Sequence, residues 1–301
     1  MVEMSHLKRI LEAGQFALTA EITPPASSDL AELLAKAAPL KGLADAVNVT
    51  DGAGARAHLE STVAASVLLE HGIEPILQLT CRDRNRIALQ SQLLGAAALG
   101  IENLLVLKGD DPTKGDQPET KAVFDLDSVG LAATAVAMRD HGRLPHGRAV
   151  GGSAHFFVGV ADAPIDPPPG WIPASLIKKV ESGAQFAQTQ FCMDADIVRR
   201  YAAHLADAGL GGKLHLLVGV APLSSAKSAR WIKSHLFGSI IPDRFVDRLD
   251  RASDPAAEGR AMCIDLIKQL REIAGVGGAH VMAPLNPAGI AEVLEALRAA
   301  F

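Results

Sequence analysis

The sequence predicts a (β/α)8 barrel, and three observations carry that expectation. Eight short apolar runs rich in strand-forming residues are spread along 301 residues, and the stretches between them repeat apolar side chains every three to four positions. The first four runs begin at residues 17, 46, 75 and 104, a constant step of 29 residues that accommodates one strand, one helix and two short loops. Such alternation calls for a parallel sheet, because parallel neighbours need a crossover of a dozen or more residues. An open doubly wound sheet is the competing arrangement, but no Gly-x-Gly-x-x-Gly opens the first helix. The expectation is therefore a single barrel domain over residues 1–301, with an added N-terminal helix at about 4–13.

Taken in order, the expected strands are 17–22, 46–50, 75–80, 104–108, 149–153, 186–190, 214–220 and 280–283. Between them, 30–40 sets Leu30, Leu33, Leu34, Ala37 and Ala38 on one helical face. Segments 59–71 and 87–99 do the same, with Gly72 and Gly100 at C-cap positions. Helical patterns recur at 224–236, 256–274 and 290–300. The Pro-rich stretch 163–173 reads as a stiff loop over the barrel mouth, and the charge-alternating 242–251 as a solvated helix. Glycines 275, 277 and 278 read as a helix stop before the last strand.

Composition narrows the function classes. Hydrophobic residues at 49% and charged residues at 21% describe an ordinary folded chain. A net charge of −5 leaves no cationic excess for displacing phosphate counterions, which argues against a nucleic-acid partner. No apolar run approaches the ~20 residues of a membrane span, and residues 1–14 lack a signal-peptide pattern. Three widely spaced cysteines (Cys81, Cys192, Cys263) exclude a disulfide framework and fit a reduced cytoplasm.

A barrel collects its functional groups at the C-terminal ends of its strands. There the sequence offers Glu21, then Asn48, Thr50 and Asp51, then Gln78 and Thr80, then Lys108, Gly109, Asp110 and Asp111. Ser153 and His155 follow the expected fifth strand, Gln188 and Gln190 the sixth, and Asn286 the eighth. Glu21 stands out, since a carboxylate between Ala20 and Ile22 is costly to bury without purpose and suits general-acid work; a structural carboxylate is the plainer reading. Lys108-Gly-Asp-Asp-Pro112 admits a Schiff-base lysine, an aspartate that orients a heterocycle, or a simple ion pair. Gly151-Gly152 suits either a flat ligand against bare backbone or tight strand packing. His155 has no partner at metal-ligand spacing, so no metal is expected. Ser224-Ser225 fits a phosphate site or an ordinary helix cap.

These strand-end residues resemble a known set. Thr19-Ala-Glu-Ile-Thr-Pro-Pro25 is similar to the first-strand motif of the methylenetetrahydrofolate reductase family. Asn48-Val-Thr50, Gln78-Leu-Thr-Cys81, Lys108-Gly-Asp-Asp-Pro112, Lys179-Val-Glu-Ser-Gly-Ala184, Thr189-Gln-Phe191 and Leu285-Asn286 follow in the family's order. The resemblance implies a barrel holding FAD, reduced by NADH or NADPH, that passes hydride to a folate. It further implies Glu21 as general acid, and Asp110 as the residue that binds the pterin and tunes the flavin. Gln190, Leu285 and Asn286 would contact substrate. Thr50, Gln78, Thr80, Lys108, Gly109, Asp110, Gly152, Ser153, His155 and Lys179 would form the flavin shell. The chain departs from the family where Gln78 replaces a usual His, Lys108 a usual Arg and Ser153 a common Tyr. The expected function is interconversion of 5,10-methylene- and 5-methyltetrahydrofolate in a cytoplasmic homo-oligomer. A flavin-independent reductase, a lyase using Lys108 and a non-catalytic partner subunit are the alternatives.

Overall fold

A computed structural model describes residues 4–283 and 288–300. Its strands are β1 (Ala17–Ile22), β2 (Ala46–Val49), β3 (Pro75–Thr80), β4 (Asn103–Leu107), β5 (Phe157–Asp162), β6 (Phe186–Phe191), β7 (His215–Val220) and β8 (Val276–Val281). They pair in parallel in chain order, and β8 returns to β1, closing the barrel. The helices are α1 (His6–Glu12), α2 (Leu30–Ala37), α3 (Ser61–Glu70), α4 (Arg86–Ala98), α5 (Ser128–His141), α6 (Ala174–Glu181), α7 (Ala195–Asp207), α8 (Ala226–His235), α9 (Asp243–Arg251), α10 (Pro255–Arg271) and α11 (Ala288–Arg298). No described helix is long and apolar enough to cross a membrane.

Two of the expected strands move. The fifth is Phe157–Asp162, not 149–153. The Gly151-Gly152 pair lacks side chains to pack, Gly152 takes a left-handed φ of 80°, and 142–150 closes instead as a small antiparallel loop through Arg143 and Ala149. Phe157-Val-Gly-Val160, aromatic and β-branched, is what the barrel uses. The eighth begins at Val276, so only Gly275 (φ 87°) acts as the helix stop. Gly278 lies inside the strand because a Cβ there would sit 2.5 Å from the Ala17 carbonyl oxygen.

The barrel interior has two storeys. Ala17, Ala46, Ile76, Leu105, Phe157, Phe186 and Leu217 fill the lower one, and α1 plugs it from below with Leu7 and Leu11. Phe157 and Phe186 stack with centroids 4.9 Å apart, and a Cβ at Gly159 would strike the Phe186 ring at 2.1 Å. Loop carboxylates hold the plug in place. Glu102 accepts from Ser5 N at 2.8 Å, and Glu74 from His6 N and Leu7 N at 2.7 and 2.8 Å, satisfying donors that a helix start leaves free. Above this floor the inward residues turn polar.

Between β7 and β8 the chain makes α8 and α9 before α10, which packs on both strands, completes the crossover. Ser225 caps α8 through Ser228, so the Ser224-Ser225 pair serves as a helix cap. The segment 236–241 then returns to the end of β6, where Ile240 N donates to Phe191 O at 2.8 Å.

Candidate active site

The upper storey is a connected polar layer. Asn48 and Gln188 exchange amide hydrogen bonds at 2.6 and 3.0 Å, and Gln188 Nε2 also reaches Thr19 Oγ1 at 3.3 Å. His280 is 2% exposed, with Nδ1 3.0 Å from the Thr19 hydroxyl. Glu21 stands on this layer. Its Oε2 accepts from Gln78 Nε2 at 2.8 Å and lies 3.6 Å from His280 Nε2. The burial expected for Glu21 is only partial, since its side chain keeps 23% of its surface. It is supported from below and open above, so it can meet a ligand without shedding a partner.

His280 was legible only as a member of the last strand, although an imidazole inside an apolar run carries the same signal as Glu21. His280 Nε2 faces Glu21 at 3.6 Å, beyond hydrogen-bond length, while Nδ1 shares a hydrogen bond with the Thr19 hydroxyl that fixes the ring beneath the carboxylate.

The rim over β2–β4 is built by ionic and backbone contacts. Asp51 takes both Arg84 nitrogens, at 2.7 and 2.8 Å, and both donors of Thr80, at 2.8 and 2.9 Å. Burial pushes the Asp51 carboxyl up, but the Arg84 guanidinium overcomes it and holds the group below the usual carboxylate range. Asp110 is exposed and accepts from Gly54 N at 2.8 Å through Oδ2. The Lys108 ammonium lies 5.5 Å from the Phe124 ring centroid, so its neighbour is an aromatic face rather than the Asp110 carboxylate. Phe124 (φ 44°) and Ala55 (φ 54°), both left-handed without being glycine, belong to the same rim. Arg82 and Arg84 were missed from sequence; three arginines within five residues after β3 were the available sign.

On the opposite side β6 bulges, setting Thr189 and Gln190 against the single Val218 of β7. Gly219 permits this, because a Cβ there would lie 2.3 Å from Thr189 O and 2.8 Å from Gln190 O. Gln190 is partly exposed, and Gly238 of the returning segment packs near it. Lys179 reaches from α6 to Ala161 O at 2.6 Å; burial draws its ammonium below the ordinary lysine range. Asp162 accepts from the Tyr201 hydroxyl, so Tyr201 is a packing residue pinned at one end.

Glu21, Thr50, Gln78, Thr80, Lys108, Gly109, Asp110, Lys179 and Gln190 thus gather at one end of the barrel. Gly152, Ser153 and His155 do not. They precede β5, at the N-terminal end, where His155 acts electrostatically on Glu102, one residue ahead of β4. Their assignment to the mouth followed from the misplaced fifth strand and is corrected. Leu285 and Asn286 lie outside the described residues. Among the described residues no group of three or more His, Cys, Asp or Glu side chains comes together as a metal site.

The family model described as methylenetetrahydrofolate reductase matches residues 6–298. The chain belongs to the methylenetetrahydrofolate reductase family. Among its relatives, the 5,10-methylenetetrahydrofolate reductase of Salmonella typhimurium is 28% identical over 72% of this chain and 68% of its own. That of Escherichia coli K12 is 26% identical over 85% and 82%. A probable methylenetetrahydrofolate reductase (NADPH) of Caenorhabditis elegans is 24% identical over 79% of this chain, which spans only 34% of that longer protein. In fold, the chain is similar to a Clostridium thermocellum protein described as binding two copies of 5-methyl-5,6,7,8-tetrahydrofolic acid. That match has a TM-score of 0.72 and 12% identity, and covers 98% of this chain and 100% of the other.

The flavin that the family implies can be tested against this chain's own residues. Thr50 Oγ1 is buried at the mouth with no hydrogen-bond partner, an orphan that a ligand would satisfy. Lys108 and Lys179 are cations on two sides of the same opening. The residues present therefore fit the ring end of a flavin and a nearby phosphate, while nothing at Ser153 or His155 adds to it.

Proposed function

We propose that this family member interconverts 5,10-methylene- and 5-methyltetrahydrofolate, using hydride from NADH or NADPH delivered through FAD. The observation that carries the proposal is Glu21, half-open at the mouth and backed by Gln78 and His280. In the reductive direction one folate C–N bond of the methylene bridge breaks, one C–H bond forms from hydride, and the released amine nitrogen keeps a proton. Glu21 supplies that proton, assisting opening of the bridge to the electrophilic iminium. The His280–Thr19 pair beneath it holds the carboxyl in place. Asp110, with one oxygen fixed by Gly54 N, offers the other to the donors of a pterin, and Gln190 offers an amide to its edge. Thr50, Lys108, Gly109 and Lys179 would hold FAD, which when bound relays hydride between nucleotide and folate.

A flavin-free transfer from NADH to the same folate is the second reading, favoured by one observation. Three of the expected flavin residues, Gly152, Ser153 and His155, sit at the wrong end of the barrel. The lyase reading loses support because the Lys108 ammonium is exposed rather than desolvated. Folate-dependent oxidation of NADH or NADPH by the purified protein tests the reaction, and the visible spectrum decides between the two readings. A colourless protein that turns over selects the flavin-free one, and absence of turnover sinks both. A cytoplasmic homo-oligomer paired through its outer helices completes the proposal, with light scattering as its check.

A further inference from the structure

We infer that Arg82 is a positioning residue that fixes the Asp110 carboxylate for the folate substrate by tying together the loops after β2, β3 and β4. The inference rests on the reading of the site as a folate reductase. Arg82 lies two residues beyond β3, and its side chain is only 4% exposed, an expensive place for a guanidinium without a task. Asp83 neutralises it through Nε at 2.7 Å and Nη2 at 2.8 Å. The remaining donors cross to other loops. Nη2 donates to Gly52 O at 3.1 Å, and Nη1 reaches Asp110 O at 3.5 Å. The Arg82 carbonyl accepts from Val123 N at 2.7 Å, joining the segment that carries Phe124.

Two glycines are shaped to this side chain. A Cβ at Gly52 would lie 2.4 Å from Arg82 Nη2, and one at Gly109 would lie 2.8 Å from Arg82 Cβ. Both loops thus approach Arg82 as bare backbone. Gly54, two residues past Gly52, donates to the Asp110 carboxylate. The contacts close a ring: Arg82 holds Gly52, the Gly52–Gly54 turn holds the Asp110 side chain, and Arg82 reaches the Asp110 backbone. Arg84 pins the root of the same turn through Asp51 but touches neither glycine-bearing contact with Asp110. Arg82 therefore acts on substrate through Asp110, and only a planar fork reaches both loops at once.

The test is a double-mutant cycle on the full-length protein. Arg82→Met should raise the KM for methylenetetrahydrofolate by roughly tenfold while leaving the KM for NADH within about twofold. In an Asp110→Asn background the same change should add less than about twofold, because the residue it positions is already lost. Arg82→Lys should resemble Arg82→Met. Gly52→Ala, which displaces the guanidinium without removing it, should reproduce the folate-specific rise should Arg82→Met fail to fold. Additive losses in the double variant, equal rises in both KM values, or rescue by lysine would overturn the inference while leaving the reductase reading intact. A wild-type protein with no folate-dependent NADH oxidation overturns the reductase reading and this inference with it.

Discussion

The two ends of the barrel are made from the same eight strands, yet they follow opposite rules. At the N-terminal end the inward residues are Ala, Ile, Leu and Phe, the opening is plugged by α1, and the nearby carboxylates cap that helix. At the C-terminal end the inward polar residues are Thr, Asn, Gln, His and Glu, and carboxylates stand on that layer or organise its rim. Two residues farther along β1, β2, β3, β6 and β8, at Thr19, Asn48, Gln78, Gln188 and His280, is enough to change from packing to polar groups. Changes below should therefore alter stability and spare turnover, while changes to groups that face the opening should lower turnover and spare stability, the buried ionic rim that carries them contributing to stability as well.

The largest effect expected is at the floor. Phe186→Ala removes the ring stacked on Phe157 and should cost about 3–5 kcal/mol of stability in a denaturant titration, with kcat per folded molecule retained. Next comes the mouth. Glu21→Gln should lower folate turnover by roughly 10²-fold or more with an unchanged melting temperature, and a matched loss of stability would contradict the division. Ser5→Ala then touches the plug alone. It removes the α1 cap to Lys8 N and the 2.6 Å bond to Asn103, costing about 1 kcal/mol with no change in KM.

The smallest effect is a pH dependence at the rim. Asp51 is held below its ordinary value of 3.8, against burial, by Arg84 and Thr80. A carboxyl with a depressed folded-state pKa contributes stability that is full above the unfolded value and lost as pH falls through the folded one. Stability should therefore drop below about pH 3.8 in a way that Asp51→Asn, weaker at neutral pH, does not share. Parallel acid titrations of both proteins by circular dichroism check the sign.

What could be read in advance follows the same vertical order. β1 and β3 have the bounds their apolar alternation implies, and Glu21 and Gln78 come with them because a strand fixes which way its side chains point. The fifth strand differs because the short run with two glycines at 149–153 mimics a strand while the aromatic run that starts eight residues later forms it, and Ser153 and His155 move with it. The rim was opaque for a different reason. Gly54 meets Asp110 across 56 positions of chain and Arg82 meets Gly52 across 30, and no local pattern announces a contact between two loops. His280 was hidden by its strand, its purpose showing only once β8 lies against β1.

That last neighbourhood has a consequence for biosynthesis. Thr19 and Glu21 leave the ribosome among the earliest residues and His280 among the latest, 261 positions after Thr19, and they meet at the seam where the sheet joins itself. A nascent or truncated chain that stops short of the final strand can build most of its hydrophobic layers and still hold its acid over an unfinished gap. On the proposed reaction the seam closes in one late event, and turnover then reports that the circle has been completed.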